Sequence, residues 1–194
     1  MQDLIKQSIL KFLCAACLCV LTFSAQALEI KGVKVDETAQ VGGSTLVLNG
    51  AGLRTKMMFK VYVAALYLGQ KQSEVNAIIH DQNYKRITMH FLREVSSDKL
   101  IQGMDEALVD NNTPAELAAI EPQLKSFRQL MASAKEVKNG DVIILDFMPS
   151  TTQFIFNGKV MGKIEGEAFD EALLRVWLGE HAVDASLRKA LLSL

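Results

Sequence analysis

Residues 57–68 (MMFKVYVAALYL) constrain the fold more than any other stretch of this chain. The segment is rich in aromatic and β-branched residues, which suit a strand. Lys60 is its only charge. Near-continuous apolar character means burial on both faces. The segment is therefore predicted to be a long strand inside a sheet.

The rest of the chain supplies a sheet and a separate set of helices. Residues 29–35 alternate Ile30, Val33 and Val35 with polar side chains and predict a short strand. Residues 44–48 predict another, running into Asn49-Gly50-Ala51-Gly52, where two glycines beside an Asn indicate a turn or a bulge. Residues 86–92 alternate Ile87, Met89 and Phe91. Ser73 is expected to cap a short helix ending at His80. Ser96 or Ser97 opens a helix with Leu100, Ile101, Met104, Ala107 and Leu108 at helical spacing. Thr113 and Glu116 form a capping box, with Pro114 at the first helical position. Pro122 either interrupts that helix or begins a new one carrying Leu124, Phe127, Leu130 and Met131. Three strands are expected over residues 142–148, 151–157 and 159–164, with Asn157-Gly158 as a hairpin turn. Two helices close the chain: residues 167–178, carrying Phe169, Leu173, Leu174 and Trp177, and residues 185–192, capped by Asp184. Segregated strands and helices predict an α+β fold, an antiparallel sheet with helices over one face.

Residues 1–27 read as an address. Lys6 and Lys11 precede an apolar run over residues 12–23, and Ser24-Ala25-Gln26-Ala27 offers small residues for cleavage. Twelve apolar residues fall short of the roughly 20 that span a bilayer as a helix. Cleavage is expected after Ala27, leaving residues 28–194 as one domain with no integral membrane segment. The leader resembles a bacterial one, so the periplasm is the expected compartment. Cys14, Cys17 and Cys19 would all leave with it, taking away any disulfide, thiol nucleophile or cysteine metal site.

Composition narrows the function classes. Lys+Arg number 21 against 22 Asp+Glu. That balance gives no electrostatic footprint for nucleic acid. No phosphate-binding loop, dinucleotide fingerprint, nucleophile elbow or zinc-protease motif is present. His80, His90 and His181 lack ligand spacing, so neither metal nor cofactor is expected. Asp105, Glu106 and Asp110 lie on one helix and read as a solvated face. Arg54 stands out, because it follows the Gly-Ala-Gly segment and precedes the most apolar strand. Burying a guanidinium there is costly unless it meets an anion. Its planar fork suits a carboxylate or enolate, and Tyr62 on the next strand is placed to add a hydroxyl. From the residues alone, a surface position or an internal acid partner for Arg54 stays open.

The segments LNGAGLR (48–54) and FKVYVAALYL (59–68) resemble the N-terminal signature of the chalcone isomerase fold. The element order matches over about residues 40–194. The resemblance implies an open-faced β-sandwich: a large antiparallel sheet, a layer of helices over one face and a ligand cleft between them. In the family's plant enzymes an Arg holds a phenolate nucleophile while Thr, Tyr and bound water polarise an enone carbonyl. Arg54 matches that Arg. Tyr62 falls where the enzymes carry Thr, Ser96 where they carry Tyr, Gly103 where they carry Asn, and Val176 where they carry a late hydroxyl. Loss of those donors places the chain nearer the non-catalytic, fatty-acid-binding branch, in which an Arg and a Tyr grip a carboxylate.

The resulting expectation is a periplasmic protein that binds a small amphipathic carboxylate, such as a fatty acid, through Arg54 and Tyr62, with no catalytic residue assigned. Met57, Met58, Met89, Met104 and Met131 are candidates for an adaptable lining. Two alternatives remain. One is an isomerase or intramolecular lyase acting on an enone through Arg54. The other is a structural or partner-binding module whose cleft is filled by its own side chains. No protein partner is identified.

Overall fold

The computed structural model describes residues 28–194. The expected leader and its cleavage point lie outside the described residues. Chain order is β1 (Leu28–Ile30), β2 (Val33–Val35), β3 (Thr38–Val41), β4 (Ser44–Lys56), β5 (Phe59–Leu68), α1 (Val75–His80), β6 (Lys85–Phe91), β7 (Val95–Ser96), α2 (Ser97–Asn111), α3 (Pro114–Ala119), α4 (Glu121–Ser133), β8 (Glu136–Val137), β9 (Val142–Met148), β10 (Thr151–Phe156), β11 (Lys159–Glu165), α5 (Glu167–Leu178) and α6 (Ala185–Leu191).

Seven strands form one antiparallel sheet in the order β11-β10-β9-β6-β5-β4-β3. β5 sits between β4 and β6, and every residue from Val61 to Leu68 is buried. Its alternate side chains serve two cores, as the period of two requires. Tyr62, Ala64, Leu66 and Leu68 join the core beneath the helices, whereas Val63, Ala65 and Tyr67 pack on the opposite face. The helix face is thick, filled by residues such as Phe127, Phe154, Phe169 and Leu173. The opposite face has thin cover. The β1–β2 hairpin lays Ile30, Val33 and Val35 against Val63, Ala65 and Tyr67. The Tyr67 hydroxyl donates to the Asp36 carbonyl at 3.0 Å. The architecture is the α+β arrangement expected, with a helix layer over one sheet face.

Several elements differ from expectation for local reasons. Residues 29–35 are a hairpin rather than one strand, turning at Lys31 and Gly32, both of positive φ. β3 and the β7–β8 pair are short, and their patterns carry too few residues to register. Ser73 does not cap α1; the Gln72 side chain accepts from the Ser73 and Glu74 amides instead. Pro122 starts a new helix, since α3 stops before Ile120 and α4 has its proline in the first turn. β5 begins at Phe59, because Met57 and Met58 form the turn after β4.

The Asn-Gly-Ala-Gly segment does not break the chain's course, since β4 continues through it for 13 residues. Leu48 pairs with Tyr67 and Gly50 with Leu66, so Asn49 is the extra residue of a bulge. Its buried amide donates to the carbonyls of Gln72 and Leu191 and accepts from the Gln72 amide. The glycines beside it admit α6. A Cβ on Gly50 would lie 2.1 Å from the Ala190 carbonyl oxygen, and one on Gly52 would lie 2.6 Å from the Ala190 Cβ. The motif is thus a seat for the C-terminal helix.

Candidate ligand site

Arg54 and Tyr62 are directly opposed across β4 and β5. Thr55 then pairs with Lys60, leaving Val61 as the extra residue of a second bulge beside them. Directly paired residues share a sheet face, and this face is the one beneath the helices. The guanidinium lies over the Tyr62 ring, with Cζ 5.3 Å from its centroid, within the range of a cation–π contact. On the helix side it meets Gly103 of α2, where a Cβ would lie 3.4 Å from Arg54 Nη2. Glycine there leaves the guanidinium its room.

Tyr62 is held on two further sides. Its ring meets Phe91 edge to face at 5.3 Å. Its hydroxyl oxygen accepts from Trp177 Nε1 at 2.9 Å. Among the described residues the Tyr62 proton has no acceptor, so the hydroxyl retains a free donor. Burial pushes its pKa above the usual phenol value, outweighing the opposing pull of the Arg54 charge and of hydrogen bonding from Trp177 and Arg54. Tyr62 therefore stays a neutral O–H across the physiological range.

These groups border an otherwise apolar hollow of about 50 Å³, lined among others by Met89, Leu100, Met104, Phe127 and Met131. Arg54 Nε is buried at its edge with no hydrogen-bond partner among the described residues. No carboxylate lies within ion-pair distance of Arg54 among them either. The nearby acid is Asp184, and it is already engaged by the Thr55, Ser186 and Leu187 amides. An unpartnered buried donor on a guanidinium is costly. The arrangement offers an incoming anion two convergent donors, the Arg54 fork and the Tyr62 proton, in a setting of low polarity where each acts strongly.

The structure also redraws the lining. Met57 and Met58 are 92% and 86% exposed and do not reach the hollow. The cause is the turn at the β4–β5 hairpin tip, which an apolar strand pattern conceals. Ser96 is absent from the lining and caps α2 by accepting from the Lys99 amide. Val176 does line the hollow. Trp177, which sequence reasoning placed in a helix core, is a direct neighbour of the site. Its amphipathic spacing marked it as buried, but nothing in that spacing marks an indole N–H aimed at Tyr62.

The sequence profile of a family described as chalcone isomerase-like matches residues 27–193. The chain belongs to the chalcone isomerase-like family. A solved chalcone isomerase-like fold, the fatty-acid binding protein of Arabidopsis thaliana, superposes with a TM-score of 0.70 at 15% identity. That match covers 86% of this chain and 96% of the plant protein. No curated protein matches the sequence significantly. Within the chalcone isomerase-like sheet, Arg54 occupies the strand ahead of the hairpin and Tyr62 the strand after it.

Proposed function

We propose that this chalcone isomerase-like protein binds the carboxylate of a small amphipathic acid at Arg54 and Tyr62, without catalysing a reaction on it. The observation that carries the reading is the buried, unpartnered Nε of Arg54 beside the free proton of Tyr62, at the rim of an apolar hollow. The plant protein of similar fold, which binds fatty acids by its name, supports the choice of ligand class. Non-catalytic action is supported by Gly103 and Val176, which bring no donor to the hollow. A developing oxyanion needs such donors, each worth roughly 10²–10³ in rate. The secretory pattern of residues 1–27 supports periplasmic residence of a domain spanning residues 28–194.

The hollow limits the ligand. About 50 Å³ accepts a carboxylate head, whereas drug-sized pockets hold roughly 300–1,000 Å³. An acyl tail enters only if Met89, Met104 and Met131 change rotamer, which unbranched thioether chains do readily. The same small volume favours the second reading, a cleft filled by its own side chains. In that reading, however, the buried Nε of Arg54 stays without an acceptor.

Calorimetric titration of delipidated protein with straight-chain acids of increasing length decides between them. Saturable binding that weakens about 10- to 100-fold in Arg54→Met, the range of a charged hydrogen bond, is the expected result. Equal binding by Arg54→Met removes Arg54 from the site, and no binding at any length leaves the filled cleft. Absorbance assays with chalcones are expected to show no Arg54-dependent turnover.

A further inference from the structure

The β4–β5 hairpin ends in Lys56-Met57-Met58-Phe59-Lys60, all five exposed. Met57 and Met58 are 92% and 86% exposed and Phe59 52%. Elsewhere on the described surface, large exposed apolar side chains such as Val109 and Val160 occur singly, which is ordinary. Three in a row at a protruding turn are not. Met57 takes a positive φ in this turn. Cations surround it: Lys56 and Lys60 flank the apolar tip, and Arg93 stacks on the Phe59 ring with Cζ 4.4 Å from the centroid. Beside them Asp184 accepts from the Thr55 amide and hydroxyl, and Glu106 of α2 holds its carboxylate 4.0 Å from Lys56 Nζ, with both side chains more than half exposed. A pair of that kind is weak and leaves the collar positive.

We infer that this hairpin tip docks the protein on an anionic phospholipid surface. The argument rests on shape and charge complementarity. A protruding apolar tip enters the boundary between headgroups and acyl chains, and a ring of Lys and Arg engages the phosphates around it. Among the described residues no helix is long and apolar enough to cross a membrane; the docking inferred is that of the hairpin tip alone. The tip is also close to the hollow: Arg54 precedes Lys56 by two strand positions, about 7 Å along the chain. Docking by this hairpin thus sets the mouth of the β4–β5 pair against a reservoir of acyl chains. The inference stands independently of the carboxylate reading, because the tip shares no residue with Arg54 and Tyr62.

The test uses the protein in the form its own cell produces, carrying Met58→Trp as a reporter, with the emission of Trp177 in the unsubstituted protein measured under the same conditions and subtracted. Mixed with phosphatidylglycerol vesicles, the reporter is expected to shift to the blue and be quenched by brominated acyl chains. With phosphatidylcholine vesicles neither change is expected. In vesicle sedimentation, Lys56→Ala and Lys60→Ala are each expected to weaken binding about fivefold. The triple change Met57→Ser, Met58→Ser, Phe59→Ser is expected to abolish the tip-dependent part while leaving the melting temperature and acid binding unchanged. Sedimentation unaffected by the triple change overturns the inference. So does a reporter that shifts only on self-association in the absence of lipid, which would assign the tip to a second copy of the chain.

Discussion

Arg54 concentrates the conflict between stability and ligand recognition. Its Nε is buried without an acceptor among the described residues, a feature that folding alone does not select. Replacing it by methionine keeps most of the side-chain volume and removes the unpaired donor. Arg54→Met is therefore expected to raise unfolding free energy by about 1–2 kcal/mol while weakening acid binding. Chemical denaturation alongside calorimetry checks both halves, and a destabilised variant would point to a structural role for the guanidinium. Tyr62→Phe separates the second donor. It removes the free proton and also leaves Trp177 Nε1 without its acceptor, so a stability loss of about 1–2 kcal/mol is expected together with weaker binding. Gly103→Leu, by contrast, fills the space against Arg54 Nη2 and is expected to block the acid with little change in the sheet.

Among the elements, the pairing of β4 with α6 explains the most conspicuous motif in the chain. Gly50 and Gly52 lie where the backbone of α6 approaches, and Asn49 ties the bulge to Gln72 and Leu191. Gly50→Ala forces a methyl into the Ala190 carbonyl and is expected to destabilise by about 2–3 kcal/mol. Gly69→Ala, where a Cβ meets nothing within 4 Å, is the matched control and is expected to fall within about 0.5 kcal/mol of wild type. Equal effects in thermal denaturation would refute the seat assigned to α6. The helix starts read from sequence fared according to mechanism. Thr113, Glu116 and Pro114 carry a self-contained capping box, which forms as expected. Ser73 does not cap because the helix starts one residue later, with Glu74 at the N-cap and no side-chain cap, while Gln72 accepts from the Ser73 and Glu74 amides ahead of it.

At the scale of the whole molecule, the pH dependence of stability has an identifiable source. Asp170 of α5 is buried, and burial raises its pKa to about 6 despite the hydrogen bond from Thr152 and the charge of Lys85. A carboxyl whose folded pKa lies above its unfolded value near 4 favours the folded state in its protonated form. That contribution is present at low pH and is lost as pH rises through about 4 to 6. Partial solvent access reduces the effect to about 1–2 kcal/mol. The Asp170 contribution, read as wild type minus Asp170→Asn, is expected to fall by that amount between pH 4.5 and 7, whereas His90, whose pKa burial lowers, contributes with the opposite sign in both proteins. Asp170→Asn, which keeps an acceptor for Thr152, is expected to flatten the profile and gain stability at pH 7. A difference between the two profiles that rises across the same interval would contradict the assignment.

How much could be read from the residues varies with how local the cause is. The doubly buried β5 followed from composition, because a strand with no polar face has no alternative to burial on both sides. The α+β arrangement followed from element order, and Arg54 and Tyr62 stood out as polar groups beside an apolar strand. Other features depend on which segments meet. Met57 and Met58 looked like strand because apolar identity does not reveal a turn. The Asn-Gly-Ala-Gly bulge is intelligible only once α6, some 140 residues later, packs on it. The cross-strand register that opposes Arg54 to Tyr62, the indole that holds the Tyr62 hydroxyl and the small volume of the hollow are likewise tertiary. Short-range periodicity encodes which side chains leave water. The distances between side chains on different elements are set by packing, and those distances decide what a half-buried guanidinium can bind.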